Sequence, residues 1–142
     1  MNDTAKASPW SGNIRSFLTD EVRYATIAVA DDDGRPWQAV CWYELRDDHI
    51  LLNSQVGRRW PALIERRGFV SLVVFEGQEY VLVRGRAEVS ATGAQARREA
   101  QALAPRYGVD PAVYETQERV SITVRPDHVA THGAIHADSG RG

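Results

Sequence analysis

Apolar positions along this chain alternate between two periods, and the switches mark its elements. Ile14, Phe17 and Leu18 fall at helical spacing and predict a short helix ending near Thr19-Asp20. Tyr24 to Ala30 is rich in strand formers and stops at Asp31-Asp32-Asp33-Gly34, a turn signal. Pro36 to Leu45 resumes strand character, so the two runs predict a hairpin with a slightly long loop. Asp47-Asp48 then turns the chain into a strand-like run, His49 to Leu52. Asn53 to Arg67 reads as the turn and short helix that follow, ended by Gly68. Phe69 to Phe75 is almost continuously apolar, and Glu76-Gly77-Gln78 turns it into a long strand, Tyr80 to Ser90. Gly85 inside that strand marks a bulge or a close approach by other atoms. Thr92-x-x-Gln95 has the form of a capping box and predicts an alanine-rich helix to about Ala104. Asp110-Pro111 opens a second short helix to about Gln117, and the last strand, Val120 to Thr131, alternates cleanly.

Six strands joined mostly by tight turns predict a mainly β (α+β) fold, an antiparallel sheet closed or nearly closed into a small barrel. Runs such as Phe69 to Phe75 are apolar on both faces. One face fills the barrel, so the other must be covered by helices or by a second subunit. A homodimer is the favoured expectation. The domain is expected over residues 12–135, with a loose arm over 1–11 and a loose tail over 136–142.

Composition narrows the function classes. At 142 residues the chain reads as one domain, and 19 acidic against 17 basic residues leave no basic footprint for nucleic acid or membrane lipid. No apolar run approaches the ~18 residues of a membrane span, and Met1 to Ser11 is too polar for a signal peptide. Cys41 is the one cysteine, which excludes an intramolecular disulfide and fits a reducing compartment. A cytoplasmic protein with neither nucleic-acid nor membrane partner is therefore expected.

Candidate chemistry concentrates after the His49 to Leu52 run. Pro61 belongs in a first helical turn, so Arg58 and Arg59 fall at or just before the helix N-terminus. Cations are disfavoured at that positive pole unless an anion, most simply a phosphate, occupies it. Asn53 and Ser54 can add hydrogen bonds to the same anion; the competing reading is a solvated basic turn. Trp37, Trp42 and Tyr43 on one strand could wall a planar ring, or could simply pack in the core. His128, His132 and His136 are spaced by four, but no cysteine lies nearby and no metal is expected; His132 is preferred as a polar group at a ligand pocket. Cys41 reads as a buried small residue. Paired-carboxylate, serine-triad, phosphate-loop and dinucleotide motifs are missing from the sequence, so in an enzyme the reactive atoms would belong to a bound cofactor.

Four segments resemble the pyridoxamine 5′-phosphate oxidase-like, flavin-binding split-barrel superfamily: Asp33-Gly34-Arg35-Pro36, Ile50-Leu51-Leu52-Asn53-Ser54 followed by Arg58-Arg59 and Leu63, Val70-Ser71-Leu72-Val73-Val74, and Val83-Arg84-Gly85-Arg86-Ala87-Glu88-Val89. The resemblance runs from about residue 14 to 133 and is strongest to small members that use the deazaflavin F420, with FMN-binding relatives close by. It implies a homodimer of six-stranded split barrels with two cofactor sites between subunits. On that footing Arg58 and Arg59 would hold the cofactor phosphate with Asn53 and Ser54 beside them. Gln38, Ala39 and Val40 would line the ring through their backbone. Tyr80 stands where the oxidases carry a glutamine that touches flavin, and His132 near the ring. Arginine replaces a frequent lysine at position 59, and Arg67-Gly68 replaces an acid- or amide-proline pair. The C-terminal extension that completes the true oxidase's substrate site is missing, so that activity is not expected. The implied function is hydride transfer between F420 or FMN and an unsaturated small molecule. The alternative is a non-catalytic cofactor- or haem-binding protein on the same barrel.

Overall fold

The computed structural model describes residues 8–135. A first helix, α1 (Gly12–Thr19), is capped by Ser11, whose hydroxyl accepts from the Ile14 N–H, and it buries the expected Ile14, Phe17 and Leu18. Strands β1 (Ala25–Ala30) and β2 (Pro36–Cys41) form the expected hairpin, Ala25 pairing with Cys41 and Ala30 with Pro36. After β3 (Tyr43–Leu45) and β4 (Ile50–Gln55), α2 (Arg59–Arg67) ends at Gly68 in the left-handed conformation, φ 72°. Strands β5 (Phe69–Glu76) and β6 (Glu79–Thr92) lead into α3 (Gly93–Leu103), two short 3₁₀ turns (Ala104–Tyr107 and Pro111–Tyr114) and β7 (Arg119–His132).

The seven strands among the described residues form one antiparallel sheet in the order β2-β1-β5-β6-β7-β4-β3. Its inner face, with side chains from α1 and α2, encloses a single core that includes Ile27, Tyr43, Ile50, Leu52, Leu72, Val81, Ile122, Trp60, Leu63 and Ile64. Seven strands stand where six were expected, because the run from Pro36 to Leu45 breaks at Trp42. Before the break it pairs with β1; after it, with β4. The two borders of the sheet, β2 and β3, are thus consecutive in the chain, and no ladder hydrogen bonds join them. The barrel is split rather than closed.

Two local expectations are corrected. Thr92 occupies the N-cap of α3, but its hydroxyl makes no capping bond and Gln95 donates instead to Glu99. Thr92 is still the extended last residue of β6, paired with Val120, which turns the would-be box away. The helix expected after Asp110 is only a 3₁₀ turn, capped by the Asp110 carboxylate accepting from the Ala112 N–H at 3.0 Å. Of the arm expected over residues 1–11, residues 8–11 are docked: Trp10 is buried and donates its indole N–H to the Arg46 carbonyl at 2.9 Å. The rest of that arm and the tail from residue 136 lie outside the described residues.

Outward-facing positions on β2, β1, β5, β6 and β7 carry an apolar row. Val40 lies beside Thr26, Thr26 beside Val73, Val73 beside Leu82 and Leu82 beside Ala130. Val40 is 66% exposed and Phe75 59%. The opposite flank differs, because α3 packs over β4 and β7 and buries Leu51 and Asn53.

Candidate functional site

The break at Trp42 makes a cleft. Extending the β3–β4 register by three steps would set Trp42 opposite Asn53, Cys41 opposite Ser54 and Val40 opposite Gln55. Instead Cys41 and Val40 pair with Ala25 and Thr26 of β1. The six residues that would have met line the walls of a cleft of about 190 Å³, completed by Arg58, Trp60, Tyr114 and Arg119. Along both lips the sheet gives the facing backbone N–H and C=O groups no ladder partner. Such groups need a hydrogen-bonding occupant, water or ligand.

The excursion between α3 and β7 closes the apex. It stacks the Tyr107 ring on Trp42 at 4.6 Å, with planes 2° apart, and sets Tyr114 edge-on to the same indole at 5.9 Å. The Tyr107 hydroxyl donates to the Arg23 carbonyl at 2.6 Å and accepts from the Tyr43 N–H at 3.3 Å. One phenol thereby bridges strands that have parted, and burial raises its pKa. Cys41 is buried in the cleft wall, where desolvation pushes its thiol up to about 12. It is a packing residue, as its sequence context suggested.

The candidate residues divide into three groups. Val40, Asn53, Ser54 and Arg58 do converge on the cleft. Arg58 is the N-cap residue of α2, and no side chain caps that helix, so the first-turn amides of Arg59 and Trp60 have no side-chain acceptor among the described residues. Ser54 is 4% exposed, and its hydroxyl makes no hydrogen bond among the described residues. Asn53 is committed: its amide donates to the Ala96 carbonyl and the Ser121 hydroxyl, both at 3.0 Å, and its oxygen accepts from Arg119 at 2.9 Å. It positions a cation rather than offering itself to an anion.

Arg59 is the correction in this set. Its guanidinium forks onto the Asp31 carboxylate and lies 5.3 Å from the Trp37 ring centroid, tying α2 to the β1–β2 turn. Its hydrogen bond to Asp31 raises the Arg59 pKa and lowers that of Asp31. The run of three aspartates that signalled a turn also supplies the carboxylate partner of Arg59. Arg66 is similarly paired to Asp32 at 3.1 Å.

The third group lies elsewhere. Gln38 is exposed on β2 and Ala39 packs against the core; neither side chain lines the cleft. Tyr80 and His132 pair across β6 and β7, their rings stacked 5.3 Å apart, at the end of β7 opposite Arg119. Within one chain they do not meet Arg58. His128 of β7 pairs across the sheet with Arg84 of β6, and His136 is outside the described residues. Among the described residues no three His, Cys, Asp or Glu groups converge.

Arg119 is the site residue that sequence reasoning missed, because the last strand was expected to begin one residue later. In the structure it pairs with Gln55, which delivers its side chain to the cleft. Its Nη1 donates to Gln117 at 2.8 Å, and its guanidinium lies 4.7 Å from the Tyr114 ring centroid. Desolvation lowers its pKa; the Tyr114 phenol opposes that shift and the nearby Arg58 charge adds to it. Among the described residues no aspartate, glutamate or histidine lines this cleft. Two arginines, aromatic side chains and unpaired strand edges therefore meet in one cleft.

The chain belongs to the pyridoxamine 5′-phosphate oxidase family, whose sequence model matches residues 11–133. Solved structures share its fold. A protein described as F420 Reductase is 21% identical, with TM-score 0.68 over 81% of this chain and 94% of the other. A conserved hypothetical protein from Mycobacterium tuberculosis is 17% identical, with TM-score 0.72 over 98% and 100%. HutZ, the haem storage protein from Vibrio cholerae, is 13% identical, with TM-score 0.70 over 89% and 99%. No curated protein sequence matches the chain. Among the described residues no helix is long and apolar enough to cross a membrane.

Proposed function

We propose that this protein is a cytoplasmic, homodimeric oxidoreductase that uses F420, or alternatively FMN, to act on an unsaturated small molecule. The observation that carries the reading is the seam cleft: Arg58 and Arg119 without a carboxylate, the unpartnered Ser54 hydroxyl, uncapped α2 amides and two bare strand edges. These donors fit a phosphate, and the β2 edge fits the hydrogen-bonding rim of a tricyclic ring. When bound, either cofactor supplies hydride transfer. Ser54 and Arg58 hold its phosphate, the backbone from Gln38 to Val40 orients the ring, and Trp42 and Tyr114 exclude water from the apex. Arg59 serves by fixing the β1–β2 turn against α2.

A volume of about 190 Å³ takes a phosphate and its sugar-like neighbour, not a whole tricyclic cofactor. The ring must therefore run out along β2, over the bare apolar face. A second copy laid on that face supplies the missing wall, and the stacked Tyr80 and His132 of the second copy are the polar groups it would bring. This is why one homodimer is proposed to carry two sites. The alternative is a non-catalytic cofactor- or haem-binding protein. It draws support from a cleft in which, among the described residues, no aspartate, glutamate or histidine stands ready to move a proton.

Titration of the purified protein with F420 and with FMN, followed by fluorescence, tests the reading. Arg58→Ala should cost about 1.5–3 kcal/mol, roughly 10- to 100-fold in Kd, whereas Arg59→Ala should cost far less. Equal effects would remove the assignment of the phosphate to Arg58. Tight haem binding with no affinity for either flavin would favour the alternative. A monomer in sedimentation at assay concentration would refute the shared site.

A further inference from the structure

Arg119 is built as a receptor before any ligand arrives. Asn53 is locked by Ala96 and Ser121 and fixes Nε; Gln117 fixes Nη1; Tyr114 supports one face of the guanidinium. Only Nη2 lacks a protein acceptor among the described residues. The side chain is half-buried, and a second cation, Arg58, lines the same cleft. A structural arginine held this carefully would ordinarily face a carboxylate. Here two guanidiniums share one cleft, and their mutual repulsion is relieved by an anion between them.

We infer that Arg119, positioned by Asn53 and Tyr114, is the second cation of the anion site and makes the cleft selective for a phosphate-bearing ligand over its phosphate-free counterpart. The inference rests on the proposed cofactor site but makes a separate claim, since it concerns the anion and not the ring. A fixed guanidinium loses little freedom on binding, so its contribution falls on the phosphate alone. Removing it should weaken the phosphate ester and leave the neutral ring compound unaffected. It should also flatten the salt dependence of binding.

The experiment compares wild type and Arg119→Met with FMN, riboflavin, F420 and inorganic pyrophosphate, using fluorescence titration and thermal shift. The expected result is a loss of roughly tenfold or more for FMN or F420, an unchanged riboflavin affinity and loss of pyrophosphate stabilisation. Equal losses for FMN and riboflavin would show that Arg119 shapes the cleft without reading charge, and would overturn the inference. So would unchanged FMN affinity, which leaves the cofactor reading intact. If wild type binds neither ring but pyrophosphate stabilises it and not Arg119→Met, the anion receptor stands and the oxidoreductase reading falls. If no anion binds wild type, both fall. Should Arg119→Met fail to fold, Arg119→Lys keeps the charge and loses the planar contacts with Asn53. It should show a smaller loss confined to phosphate esters, and its absence would equally overturn the inference.

Discussion

Replacing Gly85 by alanine tests the split sheet at its tightest point. Gly85 sits on β6 beside Pro126 of β7, where the register shifts between Arg84 and Gly85. A β-carbon there would overlap the Arg125 carbonyl oxygen and lie 2.8 Å from the Arg125 carbonyl carbon and 2.9 Å from the Pro126 Cα. All three atoms are main chain, so no side-chain rotation relieves the clash. β7 must move away from β6, the pair that spans the middle of the barrel. Overpacking of this kind costs up to about 3 kcal/mol, and reduced freedom of the unfolded chain returns roughly 0.4–1. A net loss of about 2 kcal/mol lowers the melting temperature of a domain this size by roughly 7 °C. Gly77→Ala is the control: it has no neighbour within 4 Å, and its φ of 61° alone should cost roughly 1 kcal/mol. Calorimetry of the two variants decides the matter. If Gly85→Ala melts within about 1 °C of wild type, or above Gly77→Ala, the close approach of β7 is refuted.

Two further predictions follow from titrating groups. With its thiol pushed up to about 12 by burial, Cys41 should resist a disulfide reagent at neutral pH in the folded protein and react at once when urea unfolds it; fast labelling of the native state would contradict its burial. Arg59 holds the Asp31 carboxyl below its ordinary value of 3.8, so the pair contributes stability above that value and loses it as pH falls through the lower folded-state value. Asp31→Asn should therefore lower the urea midpoint at neutral pH, with the gap to wild type closing in stronger acid. A gap that stays constant with pH would argue against the pairing.

The first three helices, the β1–β2 hairpin and the run from Phe69 to Ser90 were legible because their apolar periods are clean and their turns carry aspartate and glycine. Gly85 was readable as a bulge or close approach and is both. The break at Trp42 was not readable, since nothing in Pro36 to Leu45 lowers strand propensity at that residue. It arises because one run is claimed by two partners on opposite borders of the sheet. Arg58 could be placed by the helix-pole argument, which depends on local sequence alone. The fate of Arg59 and the arrival of Arg119 depend on contacts with residues remote in sequence, Asp31 in the first case and Asn53 in the second. The capping box failed for a related reason: Thr92 finishes a ladder with Val120 before it can serve a helix.

At Trp42 the two rims of the sheet are joined by continuous backbone and by the Tyr107 phenol that bridges them, not by ladder rungs. A gap pinned at one end by peptide bonds behaves as a jaw, with its pivot fixed and its mouth free. The β4 jaw is anchored through Asn53 to α3 and by its ladder to β7, whereas the β2 jaw is held by its ladder to β1 and by Arg59 of α2 against Trp37. No ladder rung spans the mouth of this jaw, so a change in its width would leave the hydrogen-bonded order of the seven described strands intact.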